Sequence, residues 1–278
     1  MSAMSPWQTG TIDNRGVRLH YRRKLSARQQ LLLLHGFSDD GGCWLPIANR
    51  LTGTYDVTVL DARGHGRSDA PPGRYGYAEH ASDTATAIVS LGLTKPTLLG
   101  HSMGAITALE TARRYPKLVG AIALEDPPPW WVPQRAKRDS HEQIQTWIRR
   151  TKRHTPRELI AMAARDNPSW PVAERMPWAE SKLRLSVEAI DGLQAASPDW
   201  GATLTAIRCP TLLICGDPAA GAIVAGKDTD ALRRLLPQLQ TTHLPGTGHS
   251  IRRDAPGPYL KAIRSFFAAV AAGHSSAR

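Results

Sequence analysis

The stretch Gly100-His101-Ser102-Met103-Gly104 places a serine between two glycines, each two residues away. An apolar run, Thr97-Leu98-Leu99, precedes it, and Ala105 to Tyr115 after it reads as a helix. In that order the pattern is a nucleophile elbow, in which the serine takes a strained strand-to-helix turn and its hydroxyl projects from the top of a sheet. Glycine is needed on both sides because strand and helix approach there too closely for a larger side chain. A serine hydroxyl is a weak nucleophile at neutral pH and must have a base within hydrogen-bond reach. Ten histidines compete for that role.

The elements around Ser102 alternate as a covered parallel sheet requires. Thr9 to Lys24 reads as an edge hairpin turning at Asn14-Arg15-Gly16, and Gln30 to Leu34 is an apolar run typical of a strand buried on both faces. A helix is expected from Trp44 to Leu51, a strand from Tyr55 to Asp61, and a helix from Tyr77 to Leu91 with Ile88, Val89 and Leu91 on its apolar face. After the elbow, Leu118 to Leu124 is a further buried strand, ending in Glu125-Asp126. The rhythm breaks at Pro127. From there to Trp200 the chain reads as short helices separated by Pro133, Pro156, Pro168, Pro171, Pro177 and Pro198. Strand and helix resume with Cys209 to Gly216, Thr229 to Leu236, Thr241 to Leu244 and Pro258 to Ala272. The expected organisation is a core of residues 1–126 and 201–278 carrying a helical cap of residues 127–200.

Composition narrows the function classes. With 21% charged and 41% apolar residues in 278, the chain has the make-up of a globular domain. No basic start or apolar run marks a signal peptide, and no apolar stretch is long enough to span a bilayer. Three scattered cysteines, Cys43, Cys209 and Cys215, fit neither a disulfide framework nor a zinc site, so a reducing cytoplasm is the expected compartment. The net charge of +11 is spread along the chain and matches no nucleic-acid-binding motif. The densest basic cluster, Arg149, Arg150, Lys152 and Arg153, reads as a solvated helix end.

Several separate pieces, in order, resemble the α/β-hydrolase fold family over almost the whole chain. They are His35-Gly36-Phe37, Asp61-Ala62-Arg63-Gly64-His65-Gly66-Arg67-Ser68, the Gly100 to Gly104 elbow, Cys209 to Asp217, and Gly246-Thr247-Gly248-His249. The resemblance implies a mostly parallel sheet covered on both faces, with an inserted cap. It also implies a catalytic triad in the chain order serine, acid, histidine. His249 alone then fits as base, in its Gly-x-Gly-His loop after the last strand, while His35 and His65 look like loop braces and His101 like a packing residue. By resemblance the oxyanion-hole amides are those of Phe37 and Met103, and Phe37 also lines the pocket.

The acid is less direct. The usual family position, three residues after Gly216, holds Ala219. Asp217 lies two residues early, whereas some branches of the family place the acid after the elbow helix, where this chain has Glu125-Asp126. Asp126 is the preferred choice, with Asp217 the alternative, because it ends the strand after the elbow helix and Pro127-Pro128 hold the backbone stiffly behind it, while strand alternation turns Glu125 the other way. Six of the eight tryptophans fall in the cap, and Trp130 and Trp131, leaving the strand end nearest the elbow, are expected to bind substrate. The resulting expectation is a serine hydrolase, without metal or cofactor, acting on an ester or lactone of a small hydrophobic molecule. Its partners are that substrate and a second copy in a homodimer, with no nucleic acid and no membrane. A carbon–carbon bond hydrolase or lyase, or a ligand receptor on the same fold, are the alternatives.

Overall fold

Alternating apolar residues along the strands sort into two cores, one on each face of a single sheet. The computed structural model describes residues 6–26, 28–132, 141–191 and 199–275. Its eight strands are β1 (Gln8–Asn14), β2 (Val17–Lys24), β3 (Gln30–Leu34), β4 (Asp56–Leu60), β5 (Thr97–His101), β6 (Ala121–Glu125), β7 (Thr211–Cys215) and β8 (Leu239–His243). Their order across the sheet is β1-β2-β4-β3-β5-β6-β7-β8. The β1–β2 and β2–β4 pairings are antiparallel and all the others parallel. Strand β5, which leads to Ser102, therefore lies centrally between β3 and β6.

Ten α-helices complete the described residues: α1 (Leu45–Ala48), α2 (Tyr77–Ser90), α3 (Met103–Arg114), α4 (His141–Thr151), α5 (Pro156–Asp166), α6 (Val172–Arg184), α7 (Trp200–Thr205), α8 (Gly226–Leu235), α9 (Ile251–Asp254) and α10 (Pro256–Ser275). Leu32, Leu34, Leu98, Ile122, Leu124 and Leu213 face one way and pack with Ile106 and Leu109 of α3 and Leu232 of α8. Leu31, Leu33, Leu99, Leu212 and Ile214 face the other way and pack with Ile47 of α1 and Ile263 and Phe267 of α10. That division is the period of two expected of strands covered on both sides. No helix of the described residues is long and apolar enough to cross a membrane.

Two helix expectations need correction. Val89 is 65% exposed on α2 and not part of its apolar face. It follows the fully buried Ile88, and one residue turns a helix by about 100°. Pro177 does not separate two helices but lies inside α6. It deprives the Ala173 carbonyl of its helical partner, and Ala173 is exposed, so solvent can take over that bond. Pro133 and Pro198 lie outside the described residues.

Candidate active site

Ser102 sits between β5 and α3 with φ 51° and ψ −114°, a conformation that L-residues rarely adopt. Such strain costs about 1–3 kcal/mol and persists only where the surroundings enforce it. Those surroundings are visible in the glycines. A Cβ on Gly100 would lie 2.3 Å from the Gly104 carbonyl oxygen, and one on Gly104 would lie 2.2 Å from that of Leu34. Helix α3 is thus seated directly on the backbones of β5 and β3. The Ser102 amide donates to the Glu125 carbonyl (2.9 Å), tying the elbow to the end of β6. Met103 opens α3, where the first amides of a helix have no intrahelical acceptor.

The residue after that strand end, Asp126, also has positive φ (42°) and is fully buried. Its carboxylate receives three hydrogen bonds. His249 Nδ1 donates to Oδ2 (2.7 Å), as does the Ile223 amide (2.8 Å), and the Val224 amide donates to Oδ1 (3.0 Å). With its proton on Nδ1, His249 keeps Nε2 as its basic nitrogen. Asp217 is engaged elsewhere. It accepts from His243 Nε2 (2.6 Å) and the Gly246 amide (2.6 Å), and these bonds hold its carboxyl below the usual carboxylate range. The structure therefore joins Asp126 to His249, and Asp217 to His243. Glu125 makes no hydrogen bond to the His249 ring and is bound instead by Arg252.

Phe37 occupies a tight turn in which the Asp39 amide donates to the Gly36 carbonyl (3.1 Å). His35 Nδ1 donates to the same carbonyl (2.8 Å), while His35 Nε2 accepts from the Ala62 amide (3.0 Å). His65 Nδ1 donates to the Arg63 carbonyl (2.8 Å), so both histidines brace loops as expected. His101 is buried, and its Nε2 donates to the His249 carbonyl (2.9 Å). Phe37 packs against the cluster of Met103 and Ile190 and against that of Tyr75, Ile148 and Leu185, bridging the elbow and the chain between β6 and β7.

The two expected tryptophans part company. Trp130 is partly buried, with its ring 4.9 Å from Tyr77 and 5.9 Å from Trp200. Trp131 belongs to the main core instead. It is buried, and its indole N–H donates to the Asp228 carbonyl of α8 (2.8 Å). This burial differs from the pocket-lining place expected of Trp131: the chain turns tightly here, with the Trp130 amide donating to the Pro128 carbonyl (2.9 Å) and the Val132 amide to that of Pro129 (3.0 Å), and the Trp131 indole is taken into the core beside α8.

Sequence reasoning missed a cluster of buried charges beneath these loops. Asp39 accepts from Lys182 at Oδ1 (3.1 Å) and from Arg252 and Arg253 at Oδ2 (2.8 Å each). Glu125 accepts from the Arg252 amide (3.0 Å), the Arg252 guanidinium (3.2 Å) and the Tyr259 hydroxyl (3.2 Å), and Glu174 accepts from Arg253 (3.2 Å). Three acids face three bases, so the cluster is balanced and its members paired, as burial demands. Burial works to raise the Asp39 carboxyl, but Arg253, Lys182 and Arg252 hold it well below the ordinary range. Burial dominates at Glu125 and Glu174 and pushes both carboxyls up, and it pushes the Lys182 ammonium down. The only sequence signal was local, Arg252-Arg253 three residues after His249 and Asp39-Asp40 after Phe37.

Comparison with known proteins agrees with this architecture. The chain is 27% identical over 268 residues to the N-formylmaleamate deformylase of Pseudomonas putida, covering 92% of this chain and 95% of that one. It is 24% identical over 273 residues to the 2-(acetamidomethylene)succinate hydrolase of Mesorhizobium japonicum, covering 92% and 93% of the two chains. Among solved structures, an E-2-(acetamidomethylene)succinate hydrolase superposes with a TM-score of 0.82 at 24% identity, over 94% of this chain and 99% of the other. The family model for the alpha/beta hydrolase fold matches residues 30–254, more than three-quarters of the sequence, and the chain belongs to that family of hydrolases.

Proposed function

We propose that the chain is a serine hydrolase that cleaves an acyl bond in a small molecule through an acyl-enzyme on Ser102. The observation that carries this reading is the Asp126–His249 pair beside a strained serine elbow. Ser102 Oγ attacks the substrate carbonyl while His249 Nε2 takes its proton. Asp126 fixes the imidazole tautomer and stabilises the imidazolium. The amides of Phe37 and Met103 receive the oxyanion, each such donor contributing roughly 10²–10³ in rate. His249 then protonates the leaving group, and water, deprotonated by the same nitrogen, releases the acid and restores Ser102.

The scissile bond is a carboxylic ester, a lactone or an N-acyl amide. The triad chemistry serves all three, and the names of the two curated relatives, a deformylase and an acetamido-compound hydrolase, support including acylated nitrogen. Phe37 and Trp130 line the apolar side of the site.

The test is a panel of short esters, long esters, lactones and N-formyl or N-acetyl amides, assayed with wild type and Ser102→Ala. The substitution should lower kcat by roughly 10⁴–10⁶ with thermal stability nearly unchanged. Turnover retained by Ser102→Ala overturns the assignment, and a single slow turnover by wild type points to a receptor.

A further inference from the structure

One inserted helix, α6, reaches the loop that carries Phe37. Lys182, on its last turn, is 2% exposed, and its ammonium donates to the Ser38 carbonyl (2.6 Å) and to Asp39 (3.1 Å). The ammonium also donates to the neighbouring Ser181 hydroxyl (3.3 Å), which in turn donates to the Trp178 carbonyl (2.7 Å). From the same helix, Arg184 pairs with Asp40 (3.0 Å) and Glu174 with Arg253 (3.2 Å). A fully buried ammonium needs compensation from its surroundings, and here those surroundings are the two residues that follow Phe37.

The geometry of the peptide unit transmits that grip. Gly36 C=O and Phe37 N–H belong to one planar, trans peptide and so point in opposite directions. Whatever fixes the carbonyl fixes the amide. The carbonyl is held by the Asp39 amide (3.1 Å) and by His35 Nδ1 (2.8 Å). Asp39 is held in turn by Lys182, Arg252 and Arg253. Resting on the acyl-transfer reading above, we propose that Lys182 of α6 is a positioning residue for the Phe37 amide, so that this inserted helix sets the aim of one oxyanion donor. Lys182 touches no reacting atom. It acts through Ser38 and Asp39, and a displacement on the order of 1 Å at a transition-state donor is enough to cost about 10²-fold in rate.

Such a residue serves the transition state more than the ground state, which gives it a kinetic signature. Lys182→Met keeps the aliphatic stem and removes the donors. On the best ester of the panel it should lower kcat about 10- to 100-fold with KM within about threefold of wild type, measured where circular dichroism shows both proteins fully folded. Thr155→Ala removes the N-cap of α5, another inserted helix, and serves as the control for stability alone. It should lower the Tm and leave kcat unchanged. Ser181→Ala takes one acceptor from the Lys182 ammonium (3.3 Å) while leaving its ion pair with Asp39 in place, and should give a smaller kcat loss of the same kind. It decides the matter if Lys182→Met does not fold. Full kcat in the folded variants, a loss confined to KM, or a loss that Thr155→Ala shares would overturn the proposal. If Ser102→Ala retains turnover, the acyl-transfer reading falls and this proposal with it. If Ser102→Ala is inactive while the Lys182 and Ser181 variants keep kcat, the positioning role alone is overturned.

Discussion

Nδ1 of His249 lies 2.7 Å from the buried carboxylate of Asp126, joining residues 123 positions apart. The carboxylate is also locked by the amides of Ile223, at the same oxygen, and Val224, at the other, so the loop after β7 still shapes the acid's site although it does not supply the acid. Asp126→Asn keeps the shape and removes the charge, and should lower kcat on the order of 10⁴. Asp217→Asn disturbs only the partly exposed contact with His243 and Gly246 and should leave kcat within about threefold of wild type. Steady-state kinetics of the two variants on one ester check this directly. A crippled Asp217→Asn beside an active Asp126→Asn would reverse the assignment.

This pair was legible in the sequence because Ala219 stands where an acid was expected and Asp126 closes a strand beside the elbow. The elbow, too, was legible, since a close approach of backbones leaves its mark as glycine. The buried charge cluster was not. Asp39 and Arg253 lie 214 residues apart, and residues such as Lys182, met singly, have the types usually found in water. Only the fold reveals that they neutralise one another. Trp131 shows the same limit from the apolar side, because neighbours in a turn have no periodicity to say which faces the core.

Trp130 and Trp131 should therefore respond differently to truncation. Trp131→Ala empties a core position and loses the bond to Asp228, and should cost about 3–5 kcal/mol of stability. Trp130→Ala should cost less and change the ranking of esters by acyl size more than the rate on acetate. Urea unfolding together with the ester panel separates the two effects, and an unchanged ranking for Trp130→Ala would remove it from the pocket.

Gly104→Ala should damage both stability and catalysis. The new Cβ meets the Leu34 carbonyl oxygen at 2.2 Å and the His35 carbonyl oxygen at 2.7 Å, and neither is a side chain that can swing aside. Helix α3 must lift from β3, taking the Met103 amide with it. Gly73→Ala provides the contrast: it has the strain of a positive φ (66°) but no atom within 4 Å of the new Cβ. It should cost roughly 1 kcal/mol and leave kcat unchanged. Equal kcat in the two variants would show that the seat of α3 does not aim the amide.

Acid should destabilise the fold through its buried histidines. Burial, helped by His35, lowers the His65 imidazole to about 3 from 6.5, and burial also holds His80 and His101 well below their ordinary value. Unfolding releases each ring into water, where it binds a proton below about pH 6.5, while the folded protein does not bind one until far lower pH. The unfolded state thus carries more protons across this window, and stability is full above pH 6.5 and falls as pH is lowered toward 3. At pH 5 the loss from His65 is roughly 2 kcal/mol, and His80 and His101 add to it in the same direction. Glu125 and Glu174, whose carboxyls burial raises, work in the opposite direction, so the histidine contribution is best isolated by substitution. His80→Phe removes one titrating ring whose Nε2 has no hydrogen-bond partner. Whatever its stability at pH 7.5, the gap between variant and wild type should shift in the variant's favour on going to pH 5. Urea midpoints at the two pH values measure that shift, and parallel losses in both proteins would mean that His80 is already protonated in the folded state.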